Sequence, residues 1–164
     1  MIDFVSIPQE RIKILRTDKL LRTLEKFSNA KIKCNEDIEI DCDDVLLLMR
    51  LKEVIHAFGR GFDLNDAMNL LDESFMLETI NLNDFAGKSK KRQLTLKGRV
   101  IGREGTMREF IEKHAEVKVS IYGKTISIVG TWEKVQVAKE AIERLLNGAK
   151  HTTVYRFLEE RELR

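Results

Sequence analysis

Slid against itself by 87 positions, this 164-residue chain lays its apolar pattern onto its own second half. Ile14 falls on Ile101, Arg16 on Arg103, Leu24-Glu25-Lys26 on Ile111-Glu112-Lys113, and Lys31-Ile32 on Lys118-Val119. One residue is then gained in a turn, and at an offset of 88 Ile38-Glu39-Ile40 falls on Ile126-Ser127-Ile128. Few identities survive, yet the hydrophobic register holds from Ile14 to Ile40, so the chain reads as two copies of one supersecondary unit.

The second copy is the easier to read. Phe75–Asn81 has strand character, and Gly87-Lys88-Ser89-Lys90-Lys91-Arg92 reads as a loop before a short helical stretch to Ile101. Gly102-Arg103-Glu104-Gly105 follows. Thr106 is then a candidate N-cap, with Glu109 three residues on as its capping-box partner, for a helix with Met107, Phe110, Ile111 and His114 on its apolar face. Val117, Val119 and Ile121 alternate as a strand, Tyr122-Gly123-Lys124 turns, and Ile126 and Ile128 lie on the returning strand. A long helix carries Trp132, Val135, Ala138, Ile142, Leu145 and Leu146 on one face and stops at Asn147-Gly148.

The first copy keeps this order. It has a strand Ile2–Ile7, a helix opened by Pro8, and a second helix carrying Leu20, Leu21, Leu24 and Phe27. A hairpin from Ile32/Cys34 to Ile38/Ile40 leads to a long helix capped by Asp43 or Asp44 and ended near Gly59-Arg60-Gly61, with an appended helix near Leu64–Leu71. The expected fold is α+β, and this element order, with Gly102-Arg103-Glu104-Gly105 between two helices, resembles that of type I KH domains, which implies two tandem copies, each a three-stranded antiparallel sheet with three helices on one face. They would span 1–73 and 74–150, followed by a helical tail over 151–164 that docks through Val154, Phe157 and Leu158.

A helix–Gly-x-x-Gly–helix followed by a hairpin and a helix is the layout of a single-strand nucleic-acid binder. A lone Gly-x-x-Gly is a weak signal; here it follows Lys97-Gly98-Arg99-Val100-Ile101 and precedes Thr106 in the right element order. The glycines let a phosphodiester backbone approach the turn, and the start of the next helix offers N–H donors to a phosphate. Such a loop clamps about four nucleotides. The expected groove has Val100, Ile101 and Val119 beneath the bases and Arg99, Arg103, Arg108 and Lys124 supplying charge, with Tyr122 placed to stack a base. Glu104 must point away or make a positioning contact. Asp at Gly102 and Arg103 should then cut RNA binding by at least about tenfold without altering the fold. In the first copy, Leu15 and Asp18 stand where Gly102 and Gly105 stand, which puts bulk and negative charge at the approach surface and predicts no clamp.

The chain resembles the archaeal and eukaryotic two-KH proteins of small-ribosomal-subunit maturation, the partners of the Nob endonuclease, with the Krr proteins as relatives. The resemblance rests on Lys97–Gly105, Tyr122-Gly123-Lys124-Thr125, Gly59-Arg60-Gly61-Phe62 and His151–Glu159. It implies a non-catalytic protein that binds single-stranded RNA near the 3′ end of small-subunit ribosomal RNA, and the low cysteine count reads as a reduced, cytoplasmic chain. The resemblance also implies two protein partners, the rRNA-processing endonuclease and the α subunit of translation initiation factor two. Many archaeal members keep a Gly-x-x-Gly in the first domain; this chain departs from them there.

Charge agrees with a polyanionic ligand. The net charge of +2 conceals 11 basic and 17 acidic residues in 1–85 against 18 and 10 in 86–164. Other classes fall away. No apolar run is long enough for a membrane span, the chain opens without a secretory leader, and two cysteines cannot staple this length. Cys34 and Cys42, eight apart with no second pair, do not make a zinc site, so neither metal nor cofactor is expected. No nucleophile–base motif and no phosphate-binding lysine loop appears, so no enzyme is expected. His114 and Trp132 read as packing residues. Lys88, Lys90, Lys91 and Arg92 read equally as a solubilising loop or as phosphate contacts. The competing readings are a protein-interaction adaptor with incidental RNA contacts and a general messenger-binding KH protein.

Overall fold

The computed structural model describes residues 1–162, and the chain divides into two units, Met1–Leu77 and Glu78–Arg164. Residues 163 and 164 of the expected tail lie outside the described residues.

In the first unit, β1 (Ile2–Val5), β2 (Lys31–Cys34) and β3 (Ile38–Asp41) form an antiparallel sheet of order β1-β3-β2. Period-two alternation buries Ile38 and Ile40 completely on the helix-covered face. β1 stops at Val5 rather than Ile7 because Val5 pairs with Ile38, where β3 begins, and no ladder partner remains beyond it. The helices are α1 (Gln9–Arg16), α2 (Leu20–Ser28) and α3 (Val45–Gly59). Asp44 caps α3 by accepting the Leu46 and Leu47 N–H groups, which resolves the choice between Asp43 and Asp44. Leu51, Val54, Ile55 and Phe58 form the fully buried stripe of α3. Gly59 packs so closely on Ile7 that a Cβ would lie 2.5 Å from that side chain. The appended segment is one turn of α-helix, α4 (Leu64–Ala67), continued as a 3₁₀ turn over Met68–Leu71. Phe27 is a correction: it is 72% exposed, because it lies a step outside the α2 stripe set by Leu21, Leu24 and Ser28.

The second unit has the same connectivity. β4 (Phe75–Asn81, whose first three residues fall in the first unit), β5 (Lys118–Tyr122) and β6 (Thr125–Thr131) give the order β4-β6-β5, with Val119 opposite Ile128 and Tyr122 opposite Thr125 across a Gly123-Lys124 turn. α5 (Asn83–Ala86) is a short turn that the sequence did not announce. α6 (Lys90–Ile101) starts earlier than expected, since Ser89 accepts the Arg92 N–H and makes Lys90, Lys91 and Arg92 its first turn rather than a loop. α7 (Thr106–Ala115) and α8 (Trp132–Leu146) complete the layer, and α9 (His151–Glu162) packs on both. Val154, Phe157 and Leu158 are buried, as the tail's spacing predicts. Trp132 is not core: it is 63% exposed at the first residue of α8, a full turn before the buried stripe opens at Val135.

Two side-chain interactions recur at the repeat offset. Glu25 accepts the Ile32 N–H at 3.0 Å, and Glu112 accepts the Val119 N–H at 3.0 Å, so in each unit the second helix pins the strand that follows it. Arg11 donates to the Phe58 and Phe62 carbonyls at 2.9 and 2.8 Å, and Arg99 donates to the Leu145 and Ala149 carbonyls at 2.9 and 2.6 Å. Both arginines satisfy orphan acceptors at the end of a long helix, where a cation is also favoured by the helix dipole.

Candidate nucleic-acid interface

The Gly-loop is built by a change of backbone hand. α6 ends at Ile101, and Gly102 takes φ 75°, ψ 177°, a conformation essentially reserved for glycine. Glu104 (φ 55°) and Gly105 (φ 79°) are left-handed as well, and α7 then begins. Thr106 is not the N-cap. Gly105 holds that position, no side chain caps α7, and the Thr106 hydroxyl instead donates to the Arg103 carbonyl at 2.7 Å, locking the turn from inside. The capping box with Glu109 is therefore not formed, because a left-handed Gly105 leaves Thr106 already helical. An uncapped first turn leaves α7 N–H groups directed at the loop surface, the arrangement that receives an anion.

The two loop glycines have different reasons. A Cβ on Gly102 would meet the Met107 Cβ at 2.6 Å and the Met107 N at 2.7 Å, so this glycine is demanded by the turn itself. Gly105 has nothing within 4 Å of its would-be Cβ, and neither has Gly98, in the last turn of α6. Both face open space. Gly98 is exposed, and at a helix interior glycine costs about 1 kcal/mol relative to alanine, a cost no packing neighbour here explains.

The remaining expected residues divide. Arg103, Glu104, Thr106 and Lys124 are exposed, and Lys97, Ile101, Arg108 and Tyr122 are half-buried with part of each side chain at the surface. Gly98 and Ile101–Thr106 form one contiguous surface at the α6–α7 junction. Tyr122 and Lys124 sit at the hairpin end of β5, about 10 Å along the strand from Val119. Three residues do not occupy the places expected of them. Arg99 is held on the α8 terminus, as its repeat partner Arg11 is on α3, so its charge serves the fold. Val100 is fully buried beneath the surface rather than lining it, and Val119 is 4% exposed. Periodicity within α6 was the signal available for Val100: it shares the inward stripe with Leu96.

Electrostatically, Lys88, Lys90, Lys91, Arg92, Lys97, Arg103, Arg108 and Lys124 have no ion-pair partner among the described residues, whereas the cations of α8 are paired, Lys134 with Glu116, Lys139 with Glu78 and Arg144 with Glu140. His114 stacks on Phe110 with ring centroids 4.0 Å apart and hydrogen-bonds Glu162, so it is a packing residue that secures α9. No group of three metal-ligating side chains occurs among the described residues, and no described helix is long and apolar enough to cross a membrane.

The corresponding turn of the first unit, Leu15–Asp18, is closed by its own groups. Leu15 is fully buried, which corrects the expectation that it adds bulk at the approach surface. Arg16 donates to the Cys34 carbonyl at 3.0 Å, Thr17 to the Ile14 carbonyl at 3.2 Å, and the Asp18 carboxylate accepts the Leu20 N–H at 2.9 Å. No residue there has positive φ.

Residues 76–163 match the family model of the eukaryotic-type KH domain, KH-domain type I, in its form as the second KH domain of PNO1. The chain belongs to the type I KH family. A KH domain-containing protein of Methanocaldococcus jannaschii is 37% identical over 96% of this chain and 73% of its own length. The pre-rRNA-processing protein PNO1 of Phaeosphaeria nodorum is 27% identical over 92% of this chain, which spans 62% of that relative. Among solved structures, Dim2p from Pyrococcus horikoshii superposes with a TM-score of 0.88 at 36% identity, covering 98% of this chain and 99% of that one. A chain of an a/eIF2alpha–aDim2p–rRNA complex from the same organism gives 0.90 at 35% identity, covering 99% and 94%. The matched residues include the Gly-loop between α6 and α7 and the β5–β6 hairpin that follows it.

Proposed function

We propose that this chain is an archaeal, non-catalytic, single-stranded RNA-binding factor of small-subunit ribosome maturation, acting in the cytoplasm. In this reading it comprises two tandem KH units and a C-terminal helix, near the expected boundaries 1–73, 74–150 and 151–164. The second unit clamps RNA with the surface from Lys97 to Thr106, aided by Arg108, Tyr122 and Lys124. The observation that carries this reading is that Gly98 and Gly105 leave open space at an uncapped helix start surrounded by unpaired cations. Its support from likeness is the PNO1 relatives named as pre-rRNA-processing proteins and the aDim2p chain solved with rRNA. The RNA is the 3′ region of small-subunit rRNA, and the protein positions the endonuclease that processes it.

The first unit serves protein partners, among them the α subunit of translation initiation factor two. Its turn is closed to phosphate, and α3 presents exposed Val45, Leu46 and Met49 beside a groove of about 420 Å³ lined in part by Arg50 and Leu70. The aDim2p neighbour solved with a/eIF2alpha supports that choice.

The test must avoid Gly102, because an Asp there collides with Met107 and disturbs the turn regardless of RNA. Arg103→Asp with Gly105→Asp is the informative pair. It is expected to weaken binding of an rRNA 3′-end oligonucleotide by at least about tenfold while the circular dichroism spectrum is retained. Unchanged affinity would reject the clamp, and equal affinity for random sequence would reject the rRNA assignment.

A further inference from the structure

The N-terminal half of the α6 face that leads into the Gly-loop is assigned no role by a four-nucleotide clamp that begins at Lys97. At 100° per residue, Lys90, Lys91, Leu94, Lys97, Gly98 and Ile101 fall on one stripe, opposite the buried Leu96 and Val100. The stripe runs the length of the 12-residue helix, about 16 Å, and ends on the loop. Three of its members are lysines without an ion-pair partner among the described residues. Leu94 is 71% exposed in their midst, an apolar side chain with no packing role in the fold. Gly98, bare and open, joins the stripe to the clamp.

Helix stability does not account for this composition. Cations in a first turn oppose the helix dipole, and an exposed leucine adds nothing to the core. Alternating cations and an apolar contact on a sterically open surface match what a single strand needs: charge for successive phosphates and a sequence-tolerant surface for a base or sugar face. The length of the stripe accommodates at most about five stacked nucleotides, from one phosphate per ~3.4 Å of strand.

We infer that Lys90, Lys91 and Leu94 form a second RNA contact, a track that carries the strand beyond the clamp along α6. This rests on the clamp reading and extends it, predicting that affinity depends on RNA length where a clamp alone would not.

The experiment compares an oligoribonucleotide of about four nucleotides with one of about ten containing the same core, against the full chain and two variants. For the unmodified protein, the longer RNA should bind at least about tenfold tighter at low salt, with a log-affinity salt slope steeper by about 1 to 2. Lys90→Gln with Lys91→Gln should leave the short RNA unaffected and remove about 1.4 of that extra slope, since each phosphate contact contributes ~0.7. Leu94→Ser should reduce the length-dependent gain while leaving the slope in place. Equal affinity of the unmodified protein for both lengths, or a gain that persists in the lysine variant, would overturn the track and leave the clamp standing. Failure to bind the short RNA at all would overturn the clamp, and the track with it.

Discussion

Gly98→Ala separates what the fold needs from what a ligand needs. Gly98 lies inside α6 with helical backbone and no atom within 4 Å of the position a Cβ would occupy. Alanine there meets nothing and restores helix propensity, so the variant should be more stable by about 0.8–1 kcal/mol. For a unit of this size that raises the melting temperature by roughly 4–8 °C. RNA binding should move the other way. The added methyl projects into the space left for the strand, and an affinity loss of about tenfold corresponds to ~1.4 kcal/mol. Thermal and urea unfolding followed by circular dichroism give the first quantity, and fluorescence anisotropy with a labelled rRNA 3′-end oligonucleotide gives the second. A variant that is stabilised yet binds RNA as well as the parent would refute the reasoning that this glycine is reserved for a ligand. A destabilised variant would refute the reading of open space.

Gly102→Ala combines a glycine-only backbone with a 2.6 Å collision and should cost about 3 kcal/mol, against about 1 kcal/mol for Gly105→Ala, whose Cβ is unobstructed. Equal costs in urea titrations would contradict that division. Arg99→Met should destabilise by about 2–3 kcal/mol, by freeing two carbonyls of a charge-assisted donor, without altering the salt slope of RNA binding. Arg103→Gln should do the reverse, lowering the slope by ~0.7 with stability within about 0.5 kcal/mol. Asp3, which accepts the Lys52 ammonium at 2.7 Å and the Phe4 N–H at 2.8 Å, titrates below the ordinary carboxylate range for those two reasons in that order. Because its folded pKa lies below its unfolded one, its contribution is present above about pH 3.9 and lost as pH falls through the folded value. Carboxyl NMR titration should show the depressed midpoint relax toward ordinary in Lys52→Met, and an unchanged midpoint would exclude the ion pair as its main cause.

Much of the architecture was legible because repetition is a pattern of spacing, and spacing survives in sequence. The β4 range, the α6–α7 turn, the hairpin at Gly123-Lys124 and the buried tail residues Val154, Phe157 and Leu158 all followed from periodicity and turn chemistry. Failures gathered where a residue had two physically reasonable fates. Trp132 fits the α8 stripe by angle, but at the first turn nothing covers that angle. Thr106 is a good capping residue by type, yet a left-handed Gly105 took the cap and left its hydroxyl to pin the loop. Arg99 and Arg103 are both arginines beside a Gly-loop, and only one is free to meet a phosphate.

From its residues alone, then, the chain declares two copies of one α+β unit and a Gly-loop in only the basic one, because hydrophobic period and glycine placement are local properties. Which glycines answer to the turn and which to open space, and which cations are already held by carbonyls, depends on atoms distant in sequence: Met107 beneath Gly102, and Leu145 and Ala149 at Arg99. Only the folded chain brings such partners within contact distance, and contact is what commits a charge or fills a space.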